Sequence, residues 1–445
     1  MTTTVFSTSV VTEDDDPVFT YAASGDSLIV NAGVTLSNQG LFLVYASENP
    51  LNAPTNLHAT INGTLSAPVG FAFHTAAASA HLTVGSAGRV YAHEWAFVGS
   101  EDSSVANHGV IHADQGSGVS ARAGSMVENW GTISGFMHGV DFTTDLSASV
   151  TTLVNHGTIE SGAYRFGADA VASYNGNNLI TNEGTIRAVA GESAGIMLWG
   201  GSGTINNSGT IESELYYGVT NNGQDYDTAV FTITNEGTIS GARGSLALGR
   251  MADTVTNDGH LDGRVTLGRG ADVYHGENGR VTGAVWGQGG DDLLVGGDFA
   301  DILGGGSGQD TLLGGGGADT LTGSTRADVL SGGAGDDLFR FATARESVGD
   351  TIVASDETLA FEGAGAAGGD RIDVSAIDAN WSLAGNQAFV FGSSHDLGRL
   401  WAVDVGDVTH VRGNITGDAA PEFDLAINDG AGVHASDYAA VDFIL

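Results

Sequence analysis

The stretch Gly305-Gly306-Ser307-Gly308-Gln309-Asp310-Thr311-Leu312-Leu313 decides how this chain is read. Its pattern recurs on both sides: Asp292, Asp301, Asp310, Asp319, Asp328 and Asp337 stand at every ninth position. Each closes a glycine-rich run and is followed two places on by an apolar residue. Glycine permits a tight turn with inward carbonyls, aspartate adds a hard anionic oxygen, and the apolar residue sits in a short strand that buries one side chain. This is the calcium-binding nonapeptide of a parallel β-roll, in which two repeats complete one coil. Aspartates eighteen residues apart should therefore stack, with Asp292, Asp310 and Asp328 in one row and Asp301, Asp319 and Asp337 in the other. A calcium ion fits between successive turns of each row. The expected metal residues are these six aspartates with Gly287, Gly289, Gly305, Gly306, Gly308, Gly314, Gly315, Gly317, Gly332, Gly333 and Gly335.

Two units depart from the pattern. Phe299 replaces the inner glycine of the second, and the fifth, Gly323-Ser324-Thr325-Arg326-Ala327-Asp328, loses two glycines and places an arginine in the turn. Weakened or empty sites are expected at both, leaving about four ions as an upper bound for the six units. Gly268-Arg269-Gly270-Ala271-Asp272 stands apart from the series, and Asp253 in Gly249-Arg250-Met251-Ala252-Asp253 is fainter still. Both are expected to be turns of a different solenoid.

A second, longer repeat precedes the nonapeptides. Asn107-His108-Gly109-Val110-Ile111 is followed by Asn129-Trp130-Gly131-Thr132-Ile133, Asn155-His156-Gly157-Thr158-Ile159, Asn182-Glu183-Gly184-Thr185-Ile186, Asn207-Ser208-Gly209-Thr210-Ile211 and Asn235-Glu236-Gly237-Thr238-Ile239. Asn257-Asp258-Gly259-His260-Leu261 is a weaker copy. The intervals match one coil of a parallel β-helix with three short strands. Asparagine and glycine should form the turn, with glycine free to take positive φ; threonine then faces out and isoleucine points inward. Stacked coils would align the asparagines in a ladder and the isoleucines in a column. The helix is expected to begin near Asp26.

Composition narrows the functional classes. The 69 glycines and 5 prolines do not suit an ordinary helical or α/β enzyme. A net charge of -38 argues against nucleic acid and for divalent cations. Lysine and cysteine are absent, which excludes a lysine nucleophile and a disulfide framework. Residues Met1 to Val11 lack the features of a Sec signal, and the acidic run Glu13 to Asp16 follows. No apolar run reaches the length of a membrane span, so membrane insertion is not expected.

The segment from Gly335-Asp336-Asp337-Leu338-Phe339-Arg340-Phe341 through Gly369-Asp370-Arg371-Ile372-Asp373-Val374 and Asn386-Gln387-Ala388-Phe389-Val390-Phe391 to Asp442-Phe443-Ile444-Leu445 resembles the C-terminal region of the serralysins. With the nonapeptides, it resembles a repeats-in-toxin (RTX) calcium-binding secreted protein. The longer repeat resembles a right-handed parallel β-helix of adhesin type. The first resemblance implies a type I secretion signal, a type I secretion apparatus as partner during export, and release from a Gram-negative cell to the outside or its surface. External calcium would then drive folding.

The serralysin resemblance does not carry the protease. His93-Glu94-Trp95-Ala96-Phe97 has phenylalanine where the zinc motif needs its second histidine. His108, His112, His138 and His156 read as solvated turn residues, and Trp130 and Trp199 as solenoid packing. The expected architecture is all-β: a cap or tail over 1–25, a parallel β-helix over 26–266, a calcium β-roll over 267–341, and a β-rich secretion domain over 342–445. The expected function is an extracellular calcium-dependent structural solenoid of biofilm matrix, surface layer or filament, or an adhesin, with no catalytic residues. Open solenoid ends favour head-to-tail self-association. A polysaccharide-active lyase or epimerase, or an adhesin binding cell-surface polysaccharide, is the alternative.

Overall fold

A computed structural model describes residues 1–445 except 13–15, 47–53, 76–78, 144–148, 163–166, 175, 201, 222–229, 356–358, 367, 419 and 430–432. Of the acidic run expected near the N-terminus, Glu13, Asp14 and Asp15 lie outside the described residues. Chain contacts define two units, Met1–Arg250 and Met251–Leu445.

In the N-terminal unit the Asn-x-Gly-Thr-Ile motif joins two faces of each coil. Asparagine closes one strand and threonine opens the next, as in Met126–Asn129 followed by Thr132–Gly135 and Val150–Asn155 followed by Thr158–Ser161. A third strand, such as Val140–Thr143 or Val171–Tyr174, completes the coil. All three faces pair in parallel. Ile111, Ile133, Ile159, Ile186, Ile211 and Ile239 stand in one register column and are fully buried. Each contributes about 1.5–3 kcal/mol of burial, so the column is a main source of stability.

The asparagines form the expected ladder. Nδ2 of Asn107 donates to Oδ1 of Asn129 at 2.7 Å, and the same bond repeats from Asn129 to Asn155, Asn155 to Asn182, Asn182 to Asn207 and Asn207 to Asn235 at 2.7–2.8 Å. An amide carries both donor and acceptor, so a buried column satisfies itself without charge.

The motif glycine works differently from expectation. Gly131, Gly157, Gly184, Gly209 and Gly237 are absent from the positive-φ positions; a Cβ on each would lie 2.1–2.2 Å from a carbonyl oxygen of the coil before. Glycine is needed there because neighbouring turns stack in backbone contact.

The stretch before Asp26, expected as a cap or tail, carries strands of its own. Thr3–Phe6 pairs in parallel with Ser27–Val30, and Val10–Thr12 with Leu36–Asn38. Asp26 ties this turn together, accepting the Thr2 amide and hydroxyl at 2.8 Å and the Ala23 amide at 2.9 Å. The coiled fold therefore starts earlier than the alternation near Asp26 suggests.

The C-terminal unit begins with three-strand coils. Thr254–Asn257, His260–Asp262 and Val265–Arg269 are followed by Val273–His275, Arg280–Val281 and Val285–Gly289. From Leu293 onward two strands make a coil: Leu293–Val295 and Thr311–Gly316 pair on one side, Ile302–Ser307 and Thr320–Thr325 on the other. Leu294, Leu312, Leu330 and Ile352 fill the core from one side, and Leu303, Leu321, Phe339 and Ile372 from the other. The later residues close the roll. Arg399–Val405, Val408–Asn414 and Phe423–Asn428 form an antiparallel meander whose last strand pairs in parallel with Thr351–Val353, and Phe443–Ile444 pairs with Arg371–Asp373. Tail and roll thus fall within one compact unit, Met251–Leu445.

Candidate metal centre

Each nonapeptide turn has four positions with separate physical demands. The sixth is aspartate. Oδ1 accepts the backbone amide of the aspartate one coil earlier: Asp310 from Asp292 at 2.9 Å, Asp328 from Asp310 at 2.8 Å, Asp319 from Asp301 at 2.8 Å and Asp337 from Asp319 at 2.9 Å. Oδ2 of Asp292, Asp310, Asp319, Asp328 and Asp337 is buried with no hydrogen-bond partner. An ionised carboxylate accepts only, so these oxygens call for a cation.

The first position is glycine because a Cβ would strike the carboxylate. At Gly287, Gly305, Gly314, Gly323 and Gly332 it would lie 2.1–2.3 Å from Oδ2 of the aspartate in the same turn. The second and fourth positions take positive φ: Gly306 at 113° with Gly308 at 150°, Gly315 at 104° with Gly317 at 115°, and Gly333 at 97° with Gly335 at 139°. Fourth-position glycines also stack on one another, since a Cβ on Gly308 would lie 1.8 Å from the Gly290 carbonyl oxygen. Gly289, expected among the metal residues, occupies the third position, where serine, threonine and alanine stand in other turns, and its Cβ would meet Ser307 alone, Oγ at 3.1 Å and the carbonyl oxygen at 3.9 Å.

The two irregular units differ. In the second, Asp301 turns Oδ2 onto the Gly297 amide at 3.0 Å, so that carboxylate is already satisfied by its own turn. In the fifth, Ser324 and Arg326 hold φ of 81° and 85°, keeping the calcium-turn conformation in spite of their side chains. Asp328 accordingly keeps its unpartnered oxygen.

The rows run past the nonapeptides. Asp272 donates its amide to Asp292 Oδ1 at 2.8 Å, and Asp253 donates to Asp272 Oδ1 at 2.7 Å. At the other end Asp328 donates to Asp350 and Asp337 to Asp370, both at 2.9 Å. The isolated turns at Asp253 and Asp272 therefore belong to the same row as Asp292, against the expectation of a different solenoid.

Burial pushes Asp292, Asp319 and Asp328 up to about 7 and Asp310 to about 6. A cation-free row can ionise only against burial and, at Asp292, Asp319 and Asp328, against the neighbouring aspartate of the same row. Among the described residues no group of three or more His, Cys, Asp or Glu side chains gathers as a metal cluster. Backbone carbonyls of the turns would complete an all-oxygen set suited to a hard cation such as calcium.

The four histidines expected to be solvated turn residues fall in different settings. His108 and His156 sandwich the exposed Trp130, with ring centroids 4.5 and 5.2 Å away and planes within 9° and 14°. His112 hydrogen-bonds Ser134 at 2.8 Å. His138 is buried rather than solvated, its Nδ1 3.1 Å from the Asp169 carbonyl.

Around His138 lies a polar group that no motif announced. Asp141 and Asp169 are buried and pushed up to about 7 by that burial. Asp169 Oδ1 accepts the Ala194 amide at 2.6 Å, while Asp169 Oδ2 and Asp141 Oδ1 lack partners. Both carboxyls raise the Tyr174 phenol, already raised by burial, to about 12, and Tyr174 stacks on Trp199 at 5.8 Å. Irregular spacing in the sequence hid this group. His93 and Glu94 lie between strands, and Phe97 is fully buried, so no zinc helix exists there.

Residues 7–244, more than half of the chain, match the BigA third pectate lyase-like domain. The chain belongs to that family. Residues 286–321 and 313–341 of this BigA-type β-helix protein match the RTX calcium-binding nonapeptide repeat, so the turns that carry Asp292 to Asp337 are calcium-binding repeats. Among solved structures, the chain is similar to the AlgE6R3 subunit of the Azotobacter vinelandii mannuronan C5-epimerase. Identity is 30%, coverage is 35% of this chain and 78% of that one, and the TM-score is 0.26. No curated protein matches the chain.

Proposed function

We propose that this protein is an extracellular structural solenoid whose C-terminal unit folds when it meets calcium outside a Gram-negative cell. The observation that carries this reading is the row of buried, unpartnered Oδ2 atoms, each beside a first-position glycine whose Cβ would strike the carboxylate. In cytosol, where calcium is scarce, the carboxylates stay unpaired and folding is opposed. At millimolar external calcium, binding to the folded state alone stabilises it by about 2.7 kcal/mol per site at a hundredfold excess over Kd. Folding is then confined to the destination, as type I export of an unfolded chain requires. The serralysin-like tail over 342–445 would engage the secretion apparatus, and the β-helix of 1–250 would present the working surface in a matrix, surface layer or adhesin.

The test is to image and scatter light from purified full chain in calcium and in chelator. Calcium-dependent ordering with assembly supports the reading; ordered but strictly monomeric particles overturn the structural role and leave an adhesin. A polysaccharide-active enzyme is the second reading. It is favoured by Asp141 and Asp169, two carboxyls that burial keeps protonatable near neutral pH, close to Tyr174 and Trp199. New reducing ends or unsaturated products from acidic glycans, lost in Asp141→Asn, would establish it.

A further inference from the structure

We propose that the calcium row starts one coil before the nonapeptides, with a further divalent-cation site between the turns 267–272 and 287–292. This rests on the calcium reading of the repeats but adds a site whose first turn, 267–272, lies outside the residues, 286–341, that match them.

Four observations converge. Gly268 and Gly270 hold φ of 115° and 129°, the same second- and fourth-position pair as Gly306 and Gly308 in a full repeat. The two turns stack as repeats do: a Cβ on Gly290 would lie 1.4 Å from the Gly270 carbonyl oxygen, closer than the 1.8 Å between Gly308 and Gly290. The carboxylates are placed in the same way, with the Asp272 amide on Asp292 Oδ1 at 2.8 Å. Finally, Oδ2 of Asp272 and of Asp292 are both buried without a partner, in residues exposed by only 1% and 3%. Two acceptor-only oxygens buried in one stacking step form a hard-cation site, not merely an acidic cluster.

The site differs from its neighbours at one position. Leu267 stands where a repeat has its first glycine, and it is fully buried. In the repeats a Cβ at that position would lie 2.1–2.3 Å from the carboxylate oxygen, so the leucine narrows the approach to Asp272. Weaker binding than at the repeats follows. Arg269, at the third position, is exposed.

Calcium binding to the full chain, counted by equilibrium dialysis and resolved by calorimetry, tests the site. Asp272→Asn keeps the amide-accepting oxygen and should lose one bound ion while retaining the rest; Asp310→Asn serves as the repeat control. Leu267→Gly should tighten one site several-fold, and the gain should vanish when Asp272→Asn is added. An unchanged ion count in a folded Asp272→Asn protein overturns the proposal. If Asp272→Asn does not fold, the absence of any tightening in Leu267→Gly overturns it equally. A wild-type chain that binds no calcium would instead remove the calcium reading as a whole, so the two failures are distinct.

Discussion

Two buried ladders run through this chain, and one atom type separates them. In 1–250 the ladder is asparagine, and each side chain gives an N–H to the next and receives one from the previous. In 251–445 it is aspartate. There the donor is the backbone amide of the preceding aspartate, and the second carboxylate oxygen is left over. The neutral ladder is complete within the protein, whereas the anionic one is complete only with metal. On the proposed function, that difference would separate a unit that folds unaided from one that folds on meeting calcium.

The largest expected effect is on metal removal. In chelator, amide hydrogen exchange should become fast across Val285–Arg340, while the Asn107–Asn235 ladder stays protected; equal loss in both units would break the contrast. Carrying one ladder's chemistry into the other comes next. Asn155→Asp removes the donor to Asn182 and buries an uncompensated charge, and should cost about 3–5 kcal/mol in urea unfolding of the N-terminal unit. Calcium should not restore it, since no left-handed glycine pair flanks that turn.

The glycine positions sharpen the same contrast on a smaller scale. Gly308→Ala meets the Gly290 carbonyl and an unfavourable φ of 150°, and should cost about 2 kcal/mol or more in calcium. Gly289→Ala, at a position where other turns carry serine or alanine, should change the calcium-dependent melting temperature little. Equal losses in the two variants would mean that glycine acts through chain flexibility rather than through stacking and φ.

Regular spacing made most of this visible in the sequence. The eighteen-residue interval placed Asp292 with Asp310 and Asp301 with Asp319, and Asn-x-Gly-Thr-Ile placed both the ladder and the isoleucine column. Where coil length changes, the pattern fades although the stacking continues. Asp272 precedes Asp292 by 20 residues because the coil still includes the short strand Arg280–Val281, and Asp350 and Asp370 follow their partners by 22 and 33. The role of the Asn-x-Gly glycine was also hidden, because composition does not distinguish a glycine needed for positive φ from one needed for close approach. Asp141 and Asp169 have no periodic partner at all; what sets them apart is burial, which only the folded chain reveals.

The smallest effect concerns those two carboxyls, and its sign is opposite to that of a salt-bridged acid. Burial raises Asp141 and Asp169 to about 7 in the folded state, against roughly 3.9 in an unfolded chain. Between these values the folded protein binds more protons than the unfolded one, so stability falls as pH rises. Their favourable contribution is complete below about pH 4 and is lost as pH climbs through about 7. In chelator, where the N-terminal unit dominates the folded signal, its melting temperature should therefore drop from pH 5 to pH 8. Asp169→Asn should flatten that slope more than Asp141→Asn, because Asp169 is the more deeply buried and its replacement still accepts the Ala194 amide. A slope that survives both substitutions would show that the carboxyls are solvated. They would then offer neither a neutral acid for glycan chemistry nor a pH-sensitive element in the N-terminal unit.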